Sequence, residues 1–419
     1  MAKQIKELGI TQKRIEFSER EKLQYAVDFI LTTYNIRKPY NNPTQIYATY
    51  KNKNISAEIV DFDRISLDLH EHGAQINDNT LRKVLRSDKY IKPYNPITEY
   101  FDHIRGTFKG TSQIELLCKH LIARQWNDKP QGYYQERANA LLKKWLVACV
   151  ACWIEKKPNE VMLTLIQKEE GLGKTFFAKW LTPDPLKDFF TKSKREDRFD
   201  MEDAFTRNIL VCFDELIGLT KNTSDTFKST ITSDVLWTKR RSDLYPVARP
   251  RLACAIANTN RNQEADGFLL ECFGYRRFGC IEIADIAQDY STTCDKNLLW
   301  AEALMLYENT SFDYTFAQTD FEEFKEYNRR FVIDTKATKY VRLYLNLPNA
   351  EEEGKWLNAT EICSLLRKHK KIRNEDIHDV NPQKLGNALA ALGYTQKTIH
   401  SGSSDDGRKR WHVKINLDT

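Results

Sequence analysis

Residues 171–175, Gly-Leu-Gly-Lys-Thr, have the composition of a loop that binds phosphate groups. An apolar segment of strand length precedes them, and a helix-forming segment follows. In such a loop the backbone N–H groups and the positive end of the next helix attract phosphate. We therefore predict that Lys174 reaches the β- and γ-phosphates of ATP and that the Thr175 hydroxyl binds Mg²⁺. The predicted nucleotide contacts are Gly171, Leu172, Gly173, Lys174, Thr175 and Phe176.

The loop departs from the usual phosphate-binding pattern at its first position. The pattern G-x-x-x-x-G-K-[ST] places a glycine where this chain has Lys168. Gly171 is an alternative source of the turn. Two acidic residues, Glu169 and Glu170, also lie beside the expected phosphates, and the sequence offers no reason for them.

Two carboxylates and an amide follow later apolar segments and would complete a hydrolytic site. Asp214 and Glu215 end the segment ILVCF. Asp214 is predicted to hold Mg²⁺ through water, and Glu215 to act as the general base toward the attacking water. Asn260 follows a further apolar segment and is predicted to orient that water, with Asn258 as the alternative. The competing interpretation of the two acids is a strand end that faces solvent.

Arg276 and Arg277 come next in the chain and suit an arginine finger, a cation that one subunit inserts at a neighbour's ATP. Such a finger accelerates phosphoryl transfer by roughly 10³–10⁵. A structural arginine pair at the start of a strand is the alternative. The predicted cofactors are ATP and Mg²⁺, and the predicted catalytic residues are Lys174, Asp214, Glu215, Asn260, Arg276 and Arg277.

These polar residues need a scaffold that brings separate chain segments together. Four apolar segments of strand length, at residues 160–166, 208–213, 252–257 and 277–283, alternate with helical patterns. This alternation predicts an α/β fold with a parallel sheet covered by helices on both faces. Because the carboxyl ends of parallel strands meet at one edge, the polar residues after the first three segments should converge there.

The ordered set resembles the superfamily 3 helicases of small replicons and, more closely, the virulence-associated E family related to poxvirus-type primase-helicases. The resemblance rests on NPITEY at residues 95–100, GLGKTFF, residues 227–232, IANTN and GYRRF. It implies an AAA+-like P-loop ATPase core and a ring of subunits, expected to be a hexamer. Many members carry a primase domain upstream, but residues 1–104 show no acidic triad on strands. We therefore predict no primase activity, and either a separate primase as partner or a longer arrangement of which this chain is a part.

Two regions are predicted to contact DNA. In residues 237–251, WTKRRSDLYPVARPR, basic and aromatic residues interleave, as a segment that follows single-stranded DNA requires. The resemblance implies a hairpin here that enters the central pore of the ring, with Lys239, Arg240 and Arg241 on the DNA. A solvated basic loop is the alternative.

The second region is the basic C-terminal segment. Residues 355–419 contain 12 Lys and Arg against 7 Asp and Glu, most of the chain's net charge of +6. Their order of helix, helix and hairpin predicts a winged helix that suits duplex DNA. A winged helix that binds protein is the alternative. The predicted contacts are Lys384, Arg408, Lys409 and Arg410.

Length and composition fit a multidomain protein of the cytoplasm. The 419 residues are 41% hydrophobic, yet no apolar run is long enough to span a membrane, so no membrane partner is expected. Cys149 and Cys152 lie in a helical pattern and are predicted to be reduced core residues. The predicted domains are a mixed α/β accessory domain (1–104), a helical collar (105–157), the ATPase core (158–290), a helical connector (291–335) and a winged-helix-like domain (336–419).

These observations together predict an ATP-dependent DNA helicase in the replication of a mobile element or phage-like replicon. Two alternatives stay open. One is an ATP-switch regulator, a loader or a phage-interference protein, which binds nucleotide and DNA without unwinding, and Lys168 is the reason to consider it. The other is a DNA-binding protein whose ATPase is vestigial.

Overall fold

The computed structural model describes residues 18–43, 45–51, 60–74, 76–155, 157–168, 173–193, 198–216, 221–240, 243–261, 267–269, 274–333, 335–348, 354–368, 380–399 and 408–416. The chain divides into two compact units, Met1–Glu99 and Tyr100–Thr419. The five domain boundaries predicted from the sequence are finer than this division and stay predictions.

The first unit is a small α/β arrangement with its own core. A three-stranded sheet has the order β2-β1-β3, in which β1 is antiparallel to β2 and parallel to β3. Its helices bury one apolar face each, with Ala26, Ile30 and Leu69 among the most buried residues. The elements are α1 (Glu19–Thr33), β1 (Tyr34–Pro39), β2 (Tyr47–Tyr50), α2 (Phe62–Glu71), α3 (Asp78–Arg86) and β3 (Pro93–Tyr94).

The second unit is built around a six-stranded sheet of order β4-β11-β5-β10-β7-β6. All neighbours in it are parallel except β4, which pairs antiparallel with β11 at the edge. The four predicted strands are present as β5, β7, β10 and β11, whereas β4 and β6 were not predicted because they are only three residues long. The strands are β4 (Leu121–Ala123), β5 (Met162–Ile166), β6 (Phe190–Lys192), β7 (Leu210–Asp214), β10 (Cys254–Thr259) and β11 (Phe278–Ile286).

Every residue of β5 and β10 is buried, which is why these segments are apolar without alternation. The 23-residue helix α6 packs along the sheet through its indoles: Trp145 and Trp153 each donate a 3.0 Å hydrogen bond to a backbone carbonyl, of Val161 and Ile209. Cys149 and Cys152 are fully buried in the same helix, which confirms that they are core residues.

Helices and one hairpin surround this sheet. The hairpin consists of β8 (Val235–Thr238) and β9 (Val247–Pro250), paired antiparallel. The helices are α4 (Pro96–Ile104), α5 (Gln113–His120), α6 (Tyr133–Glu155), α7 (Lys174–Trp180), α8 (Arg198–Arg207), α9 (Ser224–Thr232), α10 (Tyr290–Thr293), α11 (Lys296–Glu308) and α12 (Gln318–Asn328), with 3-10 helices at Asp184–Phe189, Lys221–Thr223, Tyr275–Arg277 and Arg329–Phe331.

The C-terminal part of the second unit has a separate hydrophobic cluster that includes Val341, Ile362, Leu389 and Val413. In its sheet the strands β12, β13 and β14 all pair antiparallel with β15. The predicted order of helix, helix and hairpin is present, preceded by a further helix and two short strands. The elements are α13 (Lys336–Tyr344), β12 (Leu345–Asn346), β13 (Lys355–Leu357), α14 (Ala359–Lys368), α15 (Pro382–Ala391), β14 (Gln396–Ile399) and β15 (Arg408–Ile415).

Among the helices of the described residues, none combines the length and the apolar character that crossing a membrane requires.

Candidate nucleotide-binding site

The predicted polar residues meet at the carboxyl ends of three neighbouring strands, β5, β10 and β7. They line an open cleft of about 290 Å³ at this edge of the sheet. The lining residues are Gly173, Lys174, Thr175, Phe176, Asp214, Glu215, Asn258 and Asn260. The expectation that polar residues after separate strands converge is therefore met. Gly171 and Leu172, two of the predicted nucleotide contacts, lie outside the described residues.

Lys174 is the first residue of α7, and its side chain is buried in the cleft. Gly173 before it has a φ of 80°, a left-handed conformation that glycine adopts without strain. The Lys174 ammonium donates hydrogen bonds to the Gln167 carbonyl at 3.3 Å and to the side-chain oxygen of Asn260. A buried ammonium thus lies beside an amide at the position where phosphate was predicted.

Thr175 and Asp214 form the second half of the site. The Thr175 hydroxyl donates to Asp214 Oδ1 at 3.0 Å and accepts from the Asn258 amide at 2.8 Å. The other carboxylate oxygen, Oδ2, accepts from Lys192 at 2.8 Å. Burial alone would raise the pKa of Asp214, but Lys192 and Thr175 outweigh it and hold that pKa below its usual value. Asp214 is therefore an anion at neutral pH.

Glu215 has a left-handed backbone, which is rare outside glycine. Its φ is 52°, and Leu216 after it has a φ of 54°. Conformations of this kind cost about 1–3 kcal/mol each and concentrate at functional sites. Two asparagines stabilise the turn: the Glu215 N–H donates to Asn258 Oδ1 at 3.2 Å, and the Asn260 N–H donates to Glu215 Oε2 at 3.5 Å. Glu215 lines the cleft from this strained turn.

The two asparagines have separate positions in the network. Asn260 contacts the Lys174 ammonium, and Asn258 bridges Thr175 and the Glu215 backbone. From the sequence, Asn260 ranks before Asn258 as the residue that orients the attacking water, and that ranking stays a prediction. The bridging position of Asn258 was not predicted, because spacing along one strand does not reveal a partner on another.

The donor set suits Mg²⁺. A hydroxyl and a carboxylate oxygen, on Thr175 and Asp214, lie within hydrogen-bond distance of each other, and Mg²⁺ prefers oxygen ligands together with water and nucleotide phosphates. No cluster of three or more His, Cys, Asp or Glu that could hold a metal occurs among the described residues. A divalent ion at this site would thus take much of its coordination from phosphate and water.

Arg276 and Arg277 do not join the cleft in the same chain. They precede β11, whose first residue, Phe278, pairs with Met162 at the start of β5. The cleft lies at the opposite end of β5, four residues and about 13 Å away. Arg276 is exposed, whereas Arg277 is half-buried. Burial and the adjacent charge of Arg276 lower the pKa of Arg277.

The hairpin exposes two aromatic rings and one of the three predicted cations. Trp237 is 65% exposed and Tyr245 74% exposed, and Lys239 is also exposed. Arg240 is buried: its guanidinium donates to Asp203 at 2.8 Å and to Thr206 at 3.0 Å, both on α8. This corrects the prediction that Arg240 contacts DNA, because its charge is neutralised inside the protein. Arg241 lies outside the described residues.

The predicted C-terminal contacts are spread over one helix and one strand. Lys384 is exposed in the first turn of α15, where Asn381 caps the helix. Lys409 on β15 is exposed, whereas Arg410 is half-buried and donates to the Trp356 carbonyl at 3.3 Å. Arg408 begins β15, but its side chain lies outside the described part.

Sequence reasoning missed Lys192 and Gln167. Lys192 is the last residue of the short strand β6, and no motif marks it. Gln167 directly follows β5 and is buried, and its backbone carbonyl accepts a hydrogen bond from the Lys174 ammonium. A polar residue immediately after an apolar run was the available signal for Gln167. Lys192 gave no such signal, because strand β6 has only three residues and cannot be recognised as an apolar run.

Comparison with known proteins gives the following similarities. The model of the virulence-associated protein E-like domain matches residues 118–333. No protein of curated function matches the chain. Among solved structures, the C-terminal region of NrS-1 is similar at 11% identity, covering 94% of this chain and 100% of that one with a TM-score of 0.43. Inhibitor-bound JCV helicase is similar at 13% identity, covering 60% and 72% with a TM-score of 0.28. The residues matched by the domain model include every side chain of the cleft.

Proposed function

Because the chain belongs to the virulence-associated protein E-like family, we propose that it is an ATP-dependent DNA helicase with an AAA+-like core. It would work as a ring, expected to be a hexamer, in the replication of a mobile element or phage-like replicon in the cytoplasm. Its cofactors would be ATP and Mg²⁺, and a separate primase would act with it.

One observation carries the proposal: an ammonium, a hydroxyl, two carboxylates and an amide surround one cleft. They come from Lys174, Thr175, Asp214, Glu215 and Asn260, which follow three different strands. Across the sheet the five parallel strands lie in the order β11, β5, β10, β7 and β6, which are the fifth, first, fourth, third and second of these strands along the chain. Such a set meets the needs of phosphoryl transfer, which depends on positioning and on charge stabilisation.

Each residue would have a defined task when ATP binds. Lys174 would exchange its bond with Asn260 for the phosphates, and the released amide would then orient the attacking water. Glu215 would accept the proton of that water, held in place by its left-handed backbone. Thr175 and Asp214 would hold Mg²⁺, which supplies positive charge to the phosphates.

The position of the two arginines in the sheet supports the proposal that subunits assemble into a ring. Since Arg276 and Arg277 lie at the amino end of β11, they are remote from the cleft of their own chain. An exposed guanidinium at that end is available to a neighbouring subunit's ATP, where it would stabilise the charge of the transition state. Arg276 is the better candidate of the two because its side chain is exposed.

Two surfaces would contact DNA. The hairpin offers Lys239 together with Trp237 and Tyr245, and exposed rings of this kind stack on bases of single-stranded DNA. The C-terminal helices α14 and α15 and the hairpin of β14 and β15 would form a winged helix, in which Lys384 on α15 and the β15 residues Arg408, Lys409 and Arg410 would contact duplex DNA. Contact with another protein through this domain is the alternative.

The proposal is tested by ATP hydrolysis with Mg²⁺, measured with and without single-stranded DNA, and by a strand-displacement assay. We expect hydrolysis that DNA accelerates, displacement of the strand, and loss of both in Lys174→Ala. Equal rates of hydrolysis with and without DNA, together with no displacement, would exclude the helicase.

A second candidate is an ATP-switch regulator or loader that binds nucleotide and DNA without unwinding. It is favoured by Lys168, an exposed cation where a glycine is usual. Tight binding of ATP and DNA by a protein that neither hydrolyses ATP quickly nor displaces a strand would support this candidate.

A further inference from the structure

Lys192 provides the cleft with a second cation. Its ammonium lies 2.8 Å from Oδ2 of Asp214, while Oδ1 of the same carboxylate accepts from Thr175. The two carboxylate oxygens therefore have different partners, one cationic and one neutral. The proposed hydrolysis does not use Lys192, and no phosphate-binding motif includes it.

The sheet determines the direction from which Lys192 approaches. Strand β6 is the edge strand beside β7, and Lys192 is in register with Cys212, two residues before Asp214. Thr175 approaches Asp214 from the other side, since it follows β5 and lies two strands away across β10. Asp214 thus lies between the phosphate-binding helix and the edge of the sheet.

This ion pair can open at low cost. The Lys192 side chain is 49% exposed, so its ammonium can return to water without leaving a buried charge. Pairs exposed to this degree contribute about 0–1 kcal/mol. At the same distance a divalent ion has twice the Coulomb attraction of an ammonium for the carboxylate.

We propose that Lys192 is a positioning residue that occupies the metal-binding carboxylate in the absence of metal and competes with Mg²⁺ for it. The inference rests on the proposed nucleotide site. The Lys192 ammonium lies 2.8 Å from Oδ2 of the carboxylate that would hold Mg²⁺, and two cations on one carboxylate repel each other, so binding of the metal would weaken the ion pair and the ion pair would weaken binding of the metal. Lys192 would therefore set the Mg²⁺ concentration at which the nucleotide site fills, and it would keep Asp214 in place until then.

The test measures binding of a fluorescent, non-hydrolysable ATP analogue to the full chain while Mg²⁺ is titrated. In Lys192→Met we expect the half-saturating Mg²⁺ concentration to fall by about three- to tenfold, the effect of removing one nearby charge that water partly screens. Lys192→Arg keeps the charge and should stay close to wild type. Lys187→Met is the matched control, because it removes an exposed cation from the preceding 3-10 helix.

Two results would overturn the inference. One is the same Mg²⁺ dependence in Lys192→Met and in wild type. The other is weaker binding of the analogue by Lys192→Met at saturating Mg²⁺, which would make Lys192 a phosphate ligand instead. Failure of the proposed function would be visible separately. If wild type binds the analogue with Mg²⁺ but hydrolyses no ATP, the ATPase is excluded and the inference about Lys192 still holds. Wild type that binds no analogue would exclude both.

Discussion

The hydroxyl of Thr175 donates a hydrogen bond to Asp214 across 3.0 Å, although the two residues follow strands that are separated by a third. The bond joins helix α7 to strand β7. It also brings together a hydroxyl and a carboxylate oxygen, the kind of ligand pair that Mg²⁺ uses in nucleotide sites.

Asp214→Asn should separate metal binding from nucleotide binding. The amide keeps the size of the side chain but loses the charge that attracts Mg²⁺, so hydrolysis should fall by at least about a hundredfold. Binding of ATP in the absence of Mg²⁺ should persist. Phosphate release measures hydrolysis, and fluorescent-analogue titrations with Mg²⁺ and with EDTA measure binding. Equal stimulation of binding by Mg²⁺ in variant and wild type would contradict the assignment. Asp225→Asn, an exposed acid on α9, is the control.

Arg276→Ala should abolish hydrolysis and leave nucleotide binding unchanged, because the guanidinium lies far from its own cleft. Mixing this variant with Lys174→Ala should restore part of the activity, since some interfaces then combine an intact cleft with an intact arginine. Steady-state ATPase rates over a range of mixing ratios measure the effect. Activity that never rises above the sum of the two separate variants would contradict a finger acting between subunits.

Trp237→Ala should weaken binding of single-stranded DNA by about 1–3 kcal/mol, the usual contribution of one ring stacked on a base. Hydrolysis without DNA should not change, because the hairpin is not part of the cleft. Fluorescence anisotropy of a labelled oligonucleotide measures the loss. Tyr25→Ala, which removes an exposed ring from α1, is the control and should bind DNA like wild type.

Asp243→Asn should destabilise the hairpin at neutral pH and have little effect in acid. Burial would raise the pKa of Asp243, but the Arg240 N–H and the Arg249 guanidinium, each 2.8 Å away, lower it overall. A carboxylate with a lowered pKa stabilises the fold above its unfolded value of about 4, and this contribution disappears as the pH falls through the folded value. Urea unfolding at pH 7 should show a loss of about 1–3 kcal/mol. A loss of the same size at pH 3 would contradict the role of the charge.

Gly267→Ala should be strongly destabilising. Its φ is 69°, and an added Cβ would lie 2.5 Å from the Phe331 carbonyl oxygen. Gly106 has a similar φ of 71° with open space around it. Gly106→Ala should therefore lose about 1–2 kcal/mol from backbone strain alone, and Gly267→Ala about 1–3 kcal/mol more from the clash. Thermal unfolding of the two variants separates these contributions, and equal losses would show that the carbonyl moves away freely.

The sequence alone determined the α/β class of the core and most of the residues that line the candidate nucleotide cleft. Strands that are buried on both faces must be apolar throughout, so β5, β7 and β10 were visible as runs. The glycine-containing loop after the first run indicated Lys174 and Thr175, and the polar residues at the ends of the next runs indicated Asp214, Glu215 and Asn260. Family membership followed from the same ordered residues.

Only the tertiary structure decided which cationic side chains are exposed and which are paired inside the protein. Lys239, Arg240 and the neighbouring basic residues look alike in sequence, yet Arg240 is buried against Asp203 because α8 packs beside the hairpin. Lys192 carries no signal of its own, and it becomes part of the site because β6 pairs with β7 in a register that brings its ammonium to Asp214. The sequence gives the charge and type of each side chain. Which charged side chains pair depends on distances between segments that are far apart in the chain, and the packing of the sheet determines those distances.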